Sequence, residues 1–180
     1  TANPQAGGTV SGGGLYVQGA TASLNAEASE GYTFTNWTKG NEVVSTTESI
    51  QVTVDGTAAY VANFTLNSYT LDITHDGLCT THDDHFITAL NNGDIHNIPN
   101  LEASEDLDDL NIGDNVTLTA PEIVGYTFAR WEVTDANGAT VNVTVSQTNS
   151  RAISFDMPAN SVNAVAKYDT ICYAVAVSQT

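Results

Sequence analysis

The residues of this 180-residue chain that could do chemistry are gathered in one stretch. All four histidines (His75, His82, His85, His96) and one of the two cysteines, Cys79, lie between positions 75 and 96. Neutral imidazole and thiolate suit zinc, so His75, Cys79, His82 and His85 form a candidate ligand set. Their spacing corresponds to no familiar zinc pattern. Farther along, Asp106, Asp108, Asp109 and Asp114, with Asn111, offer the hard oxygens that calcium takes. That run lacks EF-hand order, because Leu110 stands where a ligand or a turn is wanted. A Cys79 thiolate with His82 or His85 as its base would be a nucleophile, but nothing in the sequence marks an oxyanion site or a cleft.

Cys79 could instead pair with Cys172. In an oxidising compartment that bridge would close a loop of about 93 residues, worth at most about 4–5 kcal/mol on a loop-entropy view. Two cysteines are too few for a disulfide scaffold. Against these chemistries stands a plainer expectation, a solvated acidic segment with polar histidines. From Asp72 to Asp114 there are eleven acidic residues and no lysine or arginine. The sequence thus leads us to expect no catalytic residue and no cofactor, with calcium the ion best suited to the acids.

Charge narrows the partners. Lys39, Arg130, Arg151 and Lys167 face 21 acidic residues, a formal net charge of −17. Phosphate backbones are repelled by such a chain, so nucleic acid is not an expected partner, and contact with an anionic membrane surface is disfavoured for the same reason. The charge does suit neighbouring modules that must stay soluble and apart. No apolar run approaches the ~20 residues that cross a bilayer, and no signal peptide is recognisable, so a soluble fragment is expected.

The elements that must position these residues are strands. Gly19–Thr38 (GATASLNAEASEGYTFTNWT) recurs without a gap as Gly113–Glu132 (GDNVTLTAPEIVGYTFARWE), with eight identical positions that include Gly31/Gly125, Tyr32/Tyr126, Phe34/Phe128 and Trp37/Trp131. Such a period means two copies of one structural unit. Apolar residues alternate through both: Ala22, Leu24 and Ala26 match Val116, Leu118 and Ala120. Ile50, Val52 and Val54 match Ile153, Phe155 and Met157, and Tyr60, Ala62 and Phe64 match Ala164, Ala166 and Tyr168. Phe34 and Trp37 are three apart, which breaks the strand period. A bulge or turn is therefore predicted at Thr35-Asn36 and again at Ala129-Arg130.

The fold class predicted is all-β: two tandem small antiparallel β modules, the second with a partly helical insertion. The modules span 1–66 and 67–169. Residues 170–180, where Tyr173-Ala-Val175-Ala-Val177 echoes Tyr69-Thr-Leu71-Asp-Ile73, read as the first strand of a following module. The insertion, about 75–111, stands where the first copy has a short hairpin at 7–16. Phe86, Ala89 and Leu90 suggest a helix over 84–92 stopped by Gly93. Ser104, followed by Glu105 and Asp106, suggests a second helix start, so the insertion is expected to fold as a cap.

Taken together, the first copy reads Asn3-Pro4, Gly8-Thr9-Val10, Gly19, Leu24, Ala26, Gly31-Tyr32-Thr33-Phe34, Trp37, Ala62, Phe64. The second repeats the later part in Gly113, Val116, Leu118, Ala120, Gly125–Trp131, Phe155–Pro158, Ala166 and Tyr168. This order resembles the divergent InlB B-repeat modules of bacterial surface proteins. The resemblance implies β-grasp-like units, an extracellular or cell-surface location and no catalytic residues. It also implies a spacer or stalk role, presenting other domains and aiding adhesion, with neighbouring repeats as partners. The alternative is a glycan- or protein-binding module whose site lies in 75–111.

Overall fold

Alternating apolar and polar residues put one face of a strand on a core and the other in water, and the chain is built almost wholly on that pattern. The computed structural model describes residues 1–78, 86–99 and 105–170. They fall in two compact units, Thr1–Asn67 and Ser68–Thr180.

The first unit runs β1 (Ala2–Asn3), a 3-10 turn (Gln5–Gly7), β2 (Gly8–Ser11), β3 (Thr21–Ala28), β4 (Tyr32–Lys39), β5 (Glu42–Ser45), β6 (Ser49–Thr53) and β7 (Tyr60–Leu66). One sheet has the order β1-β7-β4-β5, the other β2-β3-β6. Leu24 and Ala26 from the second sheet meet Trp37, Ala62 and Phe64 from the first in a single core. β3 shows its role in its burial, since Ala22, Leu24 and Ala26 are buried and every residue between them is exposed.

The second unit runs β8 (Tyr69–Asp76), β9 (Phe86–Asn91), β10 (Asp94–Pro99), β11 (Glu105–Leu110), β12 (Asn115–Thr119), β13 (Tyr126–Asp135), β14 (Thr144–Val145), β15 (Ala152–Asp156) and β16 (Val162–Thr170). Its sheets are β11-β8-β16-β13 and β10-β9-β12-β15-β14. Leu71, Ile73, Ala164 and Ala166 pack from one side, with Ile87, Val116, Leu118 and Phe155 from the other.

The pairings of the two units correspond. Leu24 faces Ile50 as Leu118 faces Ile153, and Trp37 faces Ala62 as Trp131 faces Ala166. The predicted bulges are present: the register shifts between Phe34 and Asn36, and between Phe128 and Arg130. The extra residue turns each tryptophan inward. Its indole N–H then donates to a backbone carbonyl on the opposite sheet's side, Glu48 O at 3.0 Å in one unit and Arg151 O at 2.8 Å in the other. Phe34 lies 6.2 Å from Trp37 and 5.8 Å from Phe64; Phe128 lies 6.1 Å from Trp131 and 5.6 Å from Tyr168, the second contact edge-on in both. These tilted and edge-to-face packings are the favoured ones for aromatic rings.

Three expectations are corrected. The segment read as a helix over 84–92 is strand from Phe86 onward, in a hairpin of β9 with β10. Gly93 does not stop a helix; Asn92 and Gly93, with φ of 47° and 99°, form the two-residue turn. Asn-Gly is the preferred pair where both central residues need positive φ. The helix expected from Ser104 is also replaced by strand, β11, whose Leu107 and Leu110 reach the core across a bulge. A β-grasp arrangement is not formed either. Among the described residues the inner face of each sheet is covered by another sheet, and the sole helical piece is the 3-10 turn.

Candidate functional site

Each sequence-predicted site residue has a definite place or lies outside the described residues. His75 is in β8, partly buried and opposite Ala166 of β16. His96 is exposed on β10. Cys79, His82, His85 and Cys172 lie outside the described residues, and with them the remainder of the zinc set, the thiol nucleophile and the Cys79–Cys172 bridge. The backbone of Asp106 faces Asp72 in β8. Asp108 and Asp109 are exposed at the β11 bulge, where Asp109 takes a φ of 61°. Leu110, which interrupts the acidic run, is fully buried.

Asp114 is committed to structure. Its Oδ1 accepts from Asn92 Nδ2 at 2.9 Å and its Oδ2 from the Asn111 N–H at 2.8 Å, tying the β9–β10 turn to the loop before β12. Among the described residues no three His, Cys, Asp or Glu side chains are placed to share a metal ion.

The structure brings together a cluster the sequence does not reveal. β8 runs parallel to β16, setting Asp76 opposite Lys167. Lys167 Nζ donates to Asp76 Oδ2 at 2.7 Å and lies 3.3 Å from Glu132 Oε2 on β13, whose other oxygen is held by Arg130. The hydrogen bond from Lys167 holds the Asp76 carboxyl below its ordinary range, and Arg130 followed by Lys167 does the same for Glu132. The bond to Asp76 raises Lys167 in turn. Deeper in the unit, burial pushes the Tyr168 hydroxyl up to about 12; it donates to Pro121 O at 3.0 Å.

An amine against a carboxyl, with a second carboxyl beside it, has the atoms for amide formation: nitrogen attacks the carboxyl carbon and water leaves. That step needs a neutral amine and a protonated acid. Here the mutual shifts keep Lys167 cationic and Asp76 anionic, and the pair is open to solvent, so it is an ion pair and not a condensing pair. The intact mass is therefore expected to equal that of the unmodified sequence. Loss of one water, mapped to a Lys167–Asp76 linked peptide, would reverse this assignment.

The same cluster gives a pH signature. Asp76 and Glu132 titrate lower folded than unfolded, so their pairing stabilises the fold above the carboxylate range and is lost as pH falls through the folded values. Lys167 titrates higher folded than unfolded, so its contribution is complete below 10.5 and lost as pH rises through its folded value. Lys167→Met should lower Tm by a few degrees between about pH 5 and 10 and by less below about pH 3. A deficit that stays constant down to pH 3 would assign the effect to packing of the lysine stem.

The second unit also carries a surface cleft of about 860 Å³ along Pro121–Phe128 and Thr148–Arg151, bridged by Arg151 Nη1 to Glu122 Oε1 at 2.8 Å. Among the described residues no histidine lines it.

Two-layered units of antiparallel and mixed sheet, each locked by a bulge that turns a tryptophan into the core, define an all-β protein. The chain belongs to the divergent InlB B-repeat domain family, which matches residues 1–68 and 102–172. Among curated proteins none matches the sequence. Solved structures similar to it include a bacterial adhesin from Mobiluncus mulieris containing intramolecular disulfide, isopeptide and ester bond cross-links, at 15% identity and a TM-score of 0.39. The match covers 84% of this chain and 61% of the adhesin, less than two thirds of its length. The major pilin of Streptococcus pyogenes is similar at 11% identity and a TM-score of 0.42, over 84% of this chain and 70% of the pilin. At these scores neither likeness bears on the role of this chain.

Proposed function

We propose that the chain is a pair of tandem structural modules of a bacterial secreted or cell-surface protein, spacing and presenting other domains and taking no part in catalysis. The observation that carries this reading is the twice-built core: the same bulge, the same tryptophan-to-carbonyl bond and the same ring geometry, to within 0.2 Å, in each unit. A core repeated to this degree is what an array needs, since each unit must fold on its own contacts. Membership of the InlB B-repeat family supports the same role and a bacterial surface location. No helix among the described residues is long and apolar enough to cross a membrane.

Pulling the chain by its ends in a single-molecule force experiment tests the reading. Two separate unfolding steps are expected, of roughly 20 and 35 nm. A single step would mean one mechanical body and would remove the modular spacer.

A second reading is a glycan- or protein-binding module with its site in 75–111. It is favoured by the placement of β10 and β11 at the outer edges of the two sheets and by Ile95, 68% exposed on β10. Saturable binding on glycan and host-protein arrays, lost when 75–111 is replaced by residues 7–16, would establish it over the first.

A further inference from the structure

β6 lies at the end of its sheet, in the order β2-β3-β6, so one side of it meets no strand among the described residues. The Val54 N–H donates to Ala20 O and the Ala26 N–H to Glu48 O, which sets the even-numbered positions from 48 to 54 against β3. Backbone groups alternate in direction along an antiparallel ladder. Ser49, Gln51 and Thr53 therefore turn their N–H and C=O groups to the open side, and all three are exposed. The Ser49 carbonyl takes the Thr47 hydroxyl at 3.1 Å and keeps a second lone pair.

The second unit shows what this side of the strand accepts. Leu24 faces Ile50 as Leu118 faces Ile153, so Gln51 matches Ser154. There β14 lies antiparallel along β15, with Thr144 opposite Ser154, and the Ser146 N–H donates to Ala152 O. Ile153 and Phe155 are buried, whereas their counterparts Ile50 and Val52 are half-buried. Among the described residues, the first unit has the strand without its cover.

β6 is also self-complementary. It reads Ser49-Ile50-Gln51-Val52-Thr53, the same in both directions by side-chain class, and it carries no charge in a chain of net charge −17. Such an edge lacks the charges and prolines that keep sheet edges apart. β11, by contrast, carries Glu105, Asp106, Asp108 and Asp109, and β10 ends in Pro99. We propose that the β6 edges of two copies pair antiparallel about a twofold axis through Gln51. Gln51 then meets its own counterpart, Ser49 meets Thr53, and Ile50 meets Val52. This register joins the residues whose N–H and C=O groups point outward, and it sets β-branched side chains against each other on the inner face. The flanking acids do not oppose one another, because Glu48 falls opposite Val54 and Asp55 opposite Thr47. Both copies use the same surface, so the contact is isologous and closes at the dimer. It does not depend on the spacer reading above, whose force experiment stands whether or not copies associate.

One strand pair is a small contact and belongs among weak associations. The test is sedimentation of the full chain at concentrations up to about 1 mM, in about 0.15 M salt to screen the like charge of the copies. The weight-average mass is expected to rise toward twice that of the monomer and no further, with the Gln51 and Thr53 amides exchanging more slowly as it rises. Gln51→Glu and Gln51→Lys alter an exposed side chain and should leave the monomer folded, but each puts like charges face to face on the axis. Alone, each variant should associate about three- to tenfold more weakly than the unsubstituted chain. Mixed, they set Glu against Lys with the same total charge as two unsubstituted copies, and association should recover. A full chain that stays monomeric up to about 1 mM, or a mass that grows past the dimer, overturns the proposal. So do charged variants that associate alone as the unsubstituted chain does, a mixture that fails to recover, or slowed exchange at another strand edge with none at Gln51 and Thr53.

Discussion

Trp37→Ala is expected to unfold residues 1–67 and to leave residues 68–170 folded. Trp37 is 2% exposed, packs on Phe34, and bonds Glu48 O through its indole. Truncating a buried tryptophan costs about 3–5 kcal/mol in lost transfer energy and unfilled volume. A unit of this size has a total stability of only about 3–10 kcal/mol, so the loss consumes most or all of it. The two cores share no residue, which is why the second should persist. Trp131 then becomes the sole tryptophan and reports the second unit by fluorescence. Hydrogen exchange should show Thr21–Ala28 and Tyr60–Leu66 unprotected while the Trp131 transition keeps its midpoint. Continued protection of those strands, or a displaced Trp131 transition, would contradict the independence of the two cores.

Gly77→Ala is expected to destabilise the second unit by about 2–5 kcal/mol, through a clash and not through a lost contact. Gly77 follows β8 with a φ of 94°, and a Cβ built there would lie 1.9 Å from the backbone oxygen of Tyr168. No side-chain rotation relieves a collision with main chain, so β8 and β16 must separate where Asp76 pairs with Lys167. Gly113→Ala is the control: its φ is 84° but nothing lies within 4 Å of the added methyl. It should cost only the left-handed backbone penalty of about 1–2 kcal/mol. Urea unfolding followed by hydrogen exchange at the β8 and β16 amides measures both. Equal losses for the two variants would mean that β16 moves aside freely.

Much of the fold was legible because its signals are local. Ala22, Leu24 and Ala26 alternate along five residues, and such a strand needs no knowledge of its partner to show which face is buried. The three-residue step from Phe34 to Trp37 violates that alternation within the same strand, so the bulge could be placed before any pairing was known. The insertion was misread for an equally local reason. Phe86, Ala89 and Leu90 fit a helical face, yet Ile87 and Ala89 fit a strand, and Asn92-Gly93 marks a hairpin turn. The β reading prevails because β12 offers an open edge for β9, a tertiary fact that outweighs weak helical propensity.

The candidate site was less legible. The Lys167–Asp76–Glu132 cluster joins residues up to 91 positions apart, brought together by a parallel pairing that leaves no mark in either strand. The histidines and acids drew notice by type, but residue type does not say whether a carboxylate is available. Asp114 proved to be spent on Asn92 and Asn111.

The sequence by itself determined the class of element, the bulges and the repetition of the aromatic core, because side-chain alternation and its interruption are written in neighbouring residues. Tertiary structure decided the rest: the pairing of β8 with β16 and the addition of β10 and β11 to opposite sheets. Each depends on which edge of a sheet is left unpaired when the two layers close. Strand edges carry the same backbone donors and acceptors whatever the side chains, so only the closed fold distinguishes a filled edge from an open one.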